Sequence, residues 1–130
     1  MKRALLSLFV CLVAVASSSA DEKQSVKTST EGGRYEIIQS NIVRRLTFKL
    51  DKFTGQTYQM VKSSDDTLCW QEVEWYGNLF EENDSDKITY QIFMGGIMAQ
   101  DCILINIHTG KTWMLFEDSK TGNLYWSIMF

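Results

Sequence analysis

Apolar and polar residues alternate along most of the chain after residue 33. In the stretch RLTFKLD, the apolar residues Leu46, Phe48 and Leu50 alternate with polar ones. A period of two is typical of β-strands that bury one face. The alternation predicts about eight strands, near residues 34–40, 44–51, 56–62, 67–74, 87–94, 101–107, 111–117 and 123–129. No segment carries a sustained helical stripe with capping residues, so the predicted fold class is all-β.

The two halves of this pattern repeat each other at an offset of 55 positions. The offset aligns Tyr35 with Tyr90, Ile37 with Ile92 and Phe48 with Ile103, and one inserted residue later Trp70 meets Trp126. We therefore expect two antiparallel pseudo-repeats, about 34–75 and 87–130, related by a pseudo-twofold axis. They would form a sandwich or a small barrel, since each set of four short strands has an apolar face that needs a partner. Two such units are too few for a propeller unless several copies assemble.

The pattern also predicts which side chains form the core. Leu46, Phe48 and Leu50 are expected on the inner face of their strand. In the stretch CILINI, we expect Ile103, Ile105 and Ile107 on the inner face, and Cys102, Leu104 and Asn106 on the outer face. The tryptophans Trp70, Trp113 and Trp126 are expected in the core.

Three Thr-Gly pairs lie between alternating runs. Gly110-Lys111-Thr112 has the ending of a phosphate-binding P-loop, but such a loop needs a glycine at position 105, where this chain has Ile105. Thr-Gly between two strands instead predicts a hairpin turn, in which Gly55, Gly110 and Gly122 supply the left-handed conformation.

The hairpin sequences LDKFTGQTY (50–58) and INIHTGKTW (105–113) resemble the LDTxTGxxW-type hairpins that recur in a group of small exported bacterial proteins. The first copy departs from that pattern, because Tyr58 stands where tryptophan is usual. The resemblance implies a β fold and export, and it implies no catalytic activity.

The first 20 residues have the order of a secretory signal peptide: Lys2 and Arg3, an apolar run and then small residues ending at Ala20. We expect cleavage near Ala20, a secreted or periplasmic location and no transmembrane segment in the mature chain. A lipoprotein is the less favoured alternative, because Val10 is too bulky before Cys11. Residues 21–33 are polar and predict a flexible leader, so the expected single domain spans 34–130.

Charge excludes one class of partner. All 16 acidic residues lie after the signal peptide, whereas two of the 13 basic residues leave with it. The resulting acidic domain argues against nucleic-acid binding.

Few side chains point to chemistry. Trp75, Tyr76 and Phe80 form an aromatic cluster near acidic residues, which is the expected ligand-binding patch; packing beneath the connector is the alternative. His108, the acidic run 81–86 and the pair Glu72 and Glu74 are interpreted as solvated. No metal, cofactor or catalytic set is predicted.

The expected function is a binding or interaction module whose ligand is a protein or a cell-envelope component. The alternatives are a carbohydrate-binding module, with Trp75 and Tyr76 as a stacking platform, and a small glycan-directed hydrolase using Glu72 or Glu74. Cys69 and Cys102 are a candidate disulfide, since export permits one. The oligomeric state is left open.

Overall fold

The computed structural model describes residues 26–27, 32–78, 86–96 and 98–130. Within these residues the chain is all-β and forms two five-stranded sheets. The first sheet contains, in spatial and chain order, β1 (Val26–Lys27), β2 (Tyr35–Gln39), β3 (Thr47–Asp51), β4 (Thr57–Lys62) and β5 (Leu68–Glu72). The second contains β6 (Glu74–Trp75), β7 (Tyr90–Met94), β8 (Cys102–Asn106), β9 (Thr112–Glu117) and β10 (Leu124–Ile128), in the spatial order β6–β10–β9–β8–β7.

The all-β prediction is confirmed, and each of the eight predicted strands is present. The described residues add two-residue strands at β1, within the predicted leader, and at β6. The sheets stay separate and pack face to face, which selects the sandwich over the other predicted arrangement.

The two sheets share one strand register. Tyr35 lies opposite Asp51 on the neighbouring strand, and Tyr90 lies opposite Asn106 in the same way. Strands β2 to β5 and strands β7 to β10 are antiparallel throughout. Positions 55 apart in β2 to β4 and β7 to β9 are therefore structural equivalents, and after the inserted residue Trp70 is equivalent to Trp126.

Three hairpin turns in the described chain have the same hydrogen bonds. Each begins at an Asp or Asn whose side-chain oxygen accepts backbone N–H groups two or three residues later; these residues are Asp51, Asn106 and Asp118. In each turn the glycine N–H donates to the carbonyl of that residue at 2.8 Å. Gly55, Gly110 and Gly122 have φ angles of 81°, 75° and 74°, the left-handed region that glycine enters without strain.

The two sheets bury faces that are not equivalent. The first sheet buries what we call the first inner face: Ile38, Phe48 and Leu50. The second sheet buries the second inner face: Tyr90, Ile92, Leu104, Trp113, Leu115 and Trp126. By register, the equivalent of Ile92 is Ile37, which lies on the opposite side of its sheet from the first inner face.

Two further faces point away from the core shared by the sheets. The first outer face carries exposed or half-buried apolar side chains together with the charged Lys49 and Glu72; the apolar ones are Tyr35, Ile37, Tyr58, Met60 and Trp70. The second outer face also carries exposed or half-buried side chains: Phe93, Ile103, Ile105, Met114, Phe116 and Tyr125. A twofold axis would bring equivalent faces together. The expected pseudo-twofold axis is therefore wrong, and the two halves are related head to tail.

This arrangement confirms part of the predicted core and reverses the rest. Leu46, Phe48 and Leu50 are buried as predicted, and so are Trp113 and Trp126. The prediction for β8 is wrong: Cys102, Leu104 and Asn106 are buried, Ile103 and Ile105 are half-buried, and Ile107 is exposed. Because β8 carries apolar residues on both sides, its alternation alone does not select a face.

The position of Trp70 differs from expectation, and the candidate disulfide is not formed. Trp70 is not in the core but lies on the first outer face, with 38% of its surface exposed. Cys102 is fully buried in the second sheet, whereas Cys69 is exposed in the first sheet. Both thiols are free, because these positions place one sulfur inside the core and the other at the surface.

The chain crosses between the sheets immediately after β5. The buried Val73 donates its N–H to the carbonyl of Thr57 at 2.8 Å, and the next two residues form β6 along the free side of β10. This pairing is parallel, with Trp75 opposite Trp126. A single 3-10 turn, Tyr76–Asn78, follows and contains Gly77 at a φ of 72°. The crossing therefore brings the Tyr76 ring beside Tyr125 of β10.

No helix among the described residues is long and apolar enough to span a membrane.

Candidate functional site

A cleft of about 370 Å³ lies where β6 runs beside β10. Its walls come from β6, from the 3-10 turn that follows it and from the turn at residues 118–123. Its lining includes Glu74, Trp75, Tyr76, Asp118, Asn123 and Tyr125. The cleft thus combines residues from the crossing between the sheets with residues from the last hairpin.

Aromatic rings form one wall of the cleft. Tyr76 is 66% exposed, and its ring centroid lies 5.8 Å from that of Tyr125, with the planes tilted by 38°. Tyr125 in turn stacks on Phe116 at 5.8 Å and 20°. The three rings form a row that runs from the cleft onto the second outer face. Such a row offers large apolar surface with hydroxyl groups at its margin.

Polar groups from the last hairpin stand beside the rings. The Asp118 carboxylate accepts the N–H groups of Thr121 and Lys120 at 2.9 and 2.8 Å, and these backbone hydrogen bonds lower the pKa of Asp118. Asp118 is therefore ionised at neutral pH. The Asn123 side-chain oxygen accepts a hydrogen bond from Gln71 of the first sheet at 3.1 Å. A carboxylate held by its own turn and an amide held by the other sheet give the cleft fixed hydrogen-bonding groups.

The structure separates the residues predicted for the ligand-binding patch. Trp75 is half-buried, and its ring meets Trp113 of the core edge-on, with centroids 5.1 Å apart. Tyr76 is the exposed member and lines the cleft. Phe80 lies outside the described residues. Trp75 therefore contributes one side of the cleft while its ring packs on the core.

The prediction missed Tyr125, Asp118 and Asn123. The Thr121-Gly122 pair predicts the turn, and Asp118 and Asn123 lie at the two ends of that turn. What the sequence did not show is the parallel pairing of β6 with β10, which brings that turn to Tyr76 from more than 40 positions away.

The other chemical candidates lie apart from the cleft or at its margin. Glu72 is exposed on β5 and accepts a hydrogen bond from the Gln56 side chain at 3.2 Å, whereas Glu74 is exposed and lines the cleft. His108 is exposed in its turn, where Nε2 lies 3.0 Å from the carbonyl oxygen of Ile88. In the acidic run 81–86, residues 81–85 lie outside the described chain. In the part of the chain that the structure describes, no three His, Cys, Asp or Glu side chains are grouped so that they could hold a metal ion.

The chain matches no protein-family model, and comparisons with curated proteins and with solved structures gave no match.

Proposed function

We propose that this protein is a binding module that recognises a carbohydrate of the cell envelope in the cleft beside Tyr76. The observation that carries the proposal is the exposed Tyr76 ring next to Tyr125, with the Asp118 carboxylate and the Asn123 amide lining the same cleft. The predicted export signal is consistent with a ligand outside the cytoplasm.

The chemistry of the cleft fits a sugar better than a purely apolar ligand. A pyranose ring has apolar C–H faces that pack on aromatic rings, and its hydroxyl groups need acceptors and donors around them. Tyr76 and Tyr125 supply the rings, while Asp118 and Asn123 supply the polar groups. An apolar peptide would leave the ionised Asp118 buried without a partner from the ligand, which is costly.

The test begins with an array of cell-envelope glycans, followed by calorimetry of the purified protein with a short oligosaccharide from the array. We expect Tyr76→Ala to weaken binding about tenfold, which corresponds to about 1.4 kcal/mol of lost stacking. Tyr35→Ala is the matched control, because Tyr35 is a similarly exposed tyrosine, 54% accessible, on the first outer face. A short oligosaccharide reports one site at a time, so the result is independent of any assembly of the protein.

Asp118→Asn tests the polar side of the cleft. Asn106 forms the same turn with an amide oxygen, so asparagine can replace Asp118 without loss of the turn. We expect weaker binding with an unchanged circular dichroism spectrum. Absence of binding to every glycan on the array, or equal losses in Tyr76→Ala and Tyr35→Ala, would contradict the proposal.

The second candidate is a glycan-directed hydrolase, because Glu74 and Asp118 both line the cleft. Paired carboxylates are the groups that glycoside hydrolysis uses. Release of new reducing ends from a bound glycan, abolished by Glu74→Gln with binding intact, would favour hydrolysis over simple binding.

A further inference from the structure

The contact between the two sheets is an interface between two different surfaces. The first inner face covers the second inner face, and the register makes these faces non-equivalent. At the rim, Arg45 pairs with Glu117 at 2.8 Å and Gln71 with Asn123 at 3.1 Å. The positions that face the core in the first sheet are thus the ones that face solvent in the second sheet, and the reverse also holds. A contact of this kind leaves one unused surface of each type at the two ends of the pair.

The first outer face is the equivalent of the second inner face. Tyr35 corresponds to Tyr90, Ile37 to Ile92, Tyr58 to Trp113, Met60 to Leu115 and Trp70 to Trp126. In the second sheet these positions form a buried surface that the first sheet covers. In the first sheet the same positions carry the same classes of aromatic and aliphatic side chains at the surface. A cluster of exposed apolar side chains on one face of a sheet is typical of an interaction site.

The second outer face is, in turn, the equivalent of the first inner face. Phe93 corresponds to Ile38, Ile103 to Phe48 and Ile105 to Leu50. The three residues of the first sheet are fully buried, whereas Phe93 is 61% exposed. Within the molecule, the first inner face covers the second inner face. The second outer face is equivalent to the first of these and the first outer face to the second, so the second outer face of one copy could cover the first outer face of another.

A glycine supports the same match. The Tyr90 ring lies against Gly55, so close that a β-carbon on this glycine would be 3.0 Å from the ring. Gly110 is the equivalent of Gly55 and has open space where the ring would lie. Tyr35, the equivalent of Tyr90, is exposed. The turn of the second sheet thus has room for the Tyr35 ring of another copy.

Backbone groups repeat the correspondence. The N–H groups of Thr89 and Tyr90 donate to the Lys52 carbonyl at 2.8 and 2.9 Å, which ties the second sheet to the first. The register places Arg34 and Tyr35 at the positions of the two donors, and Ile107 at the position of Lys52. Two copies in the same relation would form these hydrogen bonds between molecules.

We propose that copies of this chain associate head to tail, with the second outer face of one copy covering the first outer face of the next in the geometry that the two sheets already adopt within each molecule. The occupant is a second copy because the chain itself contains both matching surfaces and a packed example of their contact. Such a contact joins two different surfaces, so a pair of copies leaves one surface of each kind free. Further copies add to these surfaces until the series closes into a ring or continues as a filament. A ring of two to four copies would contain about four to eight sheets, the range found in β-propellers.

The assembly leaves the proposed binding cleft open. Tyr125, which lines the cleft, is the equivalent of Cys69, and Cys69 remains exposed although its sheet is covered on that side. Tyr76 belongs to the crossing and has no equivalent in either packed face. The self-association therefore neither requires the proposed function nor competes with it, and a linked series of clefts would bind a polymer with higher avidity.

The test is sedimentation velocity of the purified protein over a series of concentrations, together with two charge variants. Tyr35→Glu blocks the first outer face, and Phe93→Glu blocks the second. Ser64→Glu is the control, since it adds the same charge at an exposed turn outside both faces. We expect the unmodified protein and the control to sediment faster as concentration rises, and each blocking variant to remain a monomer.

Mixing the two blocking variants distinguishes head-to-tail association from other kinds. Each variant keeps the surface that the other has lost, so an equimolar mixture should form dimers with one copy of each and nothing larger. A face that pairs with itself would be lost in one variant and kept in the other, and no dimer of this kind would form.

Several outcomes would overturn the proposal. These are a monomer at every concentration in the unmodified protein, association that survives both blocking variants, and a mixture that stays monomeric. Circular dichroism checks that the variants are folded; should either unfold, Trp70→Glu and Met114→Glu replace the pair, because they lie on the same two faces. Loss of glycan binding in Tyr76→Ala with unchanged sedimentation would separate this proposal from the proposed function.

Discussion

Ile37 and Ile92 are a matched pair for testing which faces of the sheets are buried. They are the same residue type at equivalent register positions, opposite Lys49 and Leu104 respectively. Ile92 is 2% exposed and Ile37 is 40% exposed. If the halves were related by a twofold axis, alanine would cost the same at both positions. The head-to-tail relation makes the two losses unequal.

The expected magnitudes follow from burial. Ile92→Ala removes fully buried carbon atoms and leaves a cavity, which in protein cores costs about 2–5 kcal/mol, so we expect about 3 kcal/mol here. Ile37→Ala leaves space that water fills, and it loses only the buried part of a transfer energy of about 1.5–3 kcal/mol, so we expect about 1 kcal/mol. The order reverses in the other pair, where Ile38→Ala should cost more than Phe93→Ala although phenylalanine is larger.

Urea denaturation followed by tryptophan fluorescence measures these free energies of unfolding. The protein is kept dilute, so that association does not add stability at Ile37 or Phe93. Equal losses at Ile37 and Ile92, or a larger loss at Phe93 than at Ile38, would show that equivalent faces are buried and would refute the head-to-tail relation.

Two further predictions concern single side chains. Gly122→Ala should lower the free energy of unfolding by about 1 kcal/mol, because alanine is strained at its positive φ. Gly55→Ala should cost about 1–3 kcal/mol more, because its β-carbon also meets the Tyr90 ring. Equal losses in the two variants would contradict this close contact. In protein without the predicted signal peptide, an aqueous thiol reagent at pH 8 should label Cys69 rapidly and Cys102 only after denaturation. Burial raises the pKa of Cys102 to about 11, so its thiolate is scarce as well as inaccessible, and rapid labelling of both thiols would contradict this.

Local signals predicted the strands and turns well because their causes are local. Alternation depends on the pleat of each strand, and a Thr-Gly turn depends on one residue at positive φ. Which face of a strand is buried depends on the side chains of the opposite sheet. A strand such as β8 is apolar on both sides, so its own sequence does not indicate which side is buried. The prediction for Trp70 is wrong for the same reason, because equivalent residues in the two sheets do not have equivalent surroundings.

The candidate site shows the same division. The sequence predicts Tyr76 as a site residue because its aromatic cluster lies near acidic residues and has no equivalent in the other half. Tyr125 and Asp118 could not be assigned to the same site, since they reach it through the pairing of β6 with β10. That pairing joins segments about 50 positions apart and involves four residues, which is too short a segment for a sequence pattern to predict.

Lys49 is a charged residue of the first outer face at a position where the second inner face carries an apolar residue. Its equivalent is Leu104, which is fully buried. The Lys49 ammonium nitrogen lies 4.6 Å from the centroid of the Tyr58 ring and 5.1 Å from that of Trp70, so it covers part of the apolar surface while remaining solvated. Covering this face with a second copy removes water from the ammonium group, which opposes association.

Lys49→Leu should therefore strengthen the proposed head-to-tail contact. Removing the desolvation of one ammonium group should tighten self-association about tenfold, equivalent to about 1.4 kcal/mol, as measured by sedimentation equilibrium. Lys120→Leu, an exposed lysine in the last hairpin turn, should leave it unchanged. The double variant Lys49→Leu, Phe93→Glu distinguishes the proposed contact from nonspecific association through the added leucine. It should be monomeric, because the surface that contacts the new leucine is blocked. Tighter association that persists in the double variant would mean that the leucine binds elsewhere, and the matched faces would then not explain the assembly.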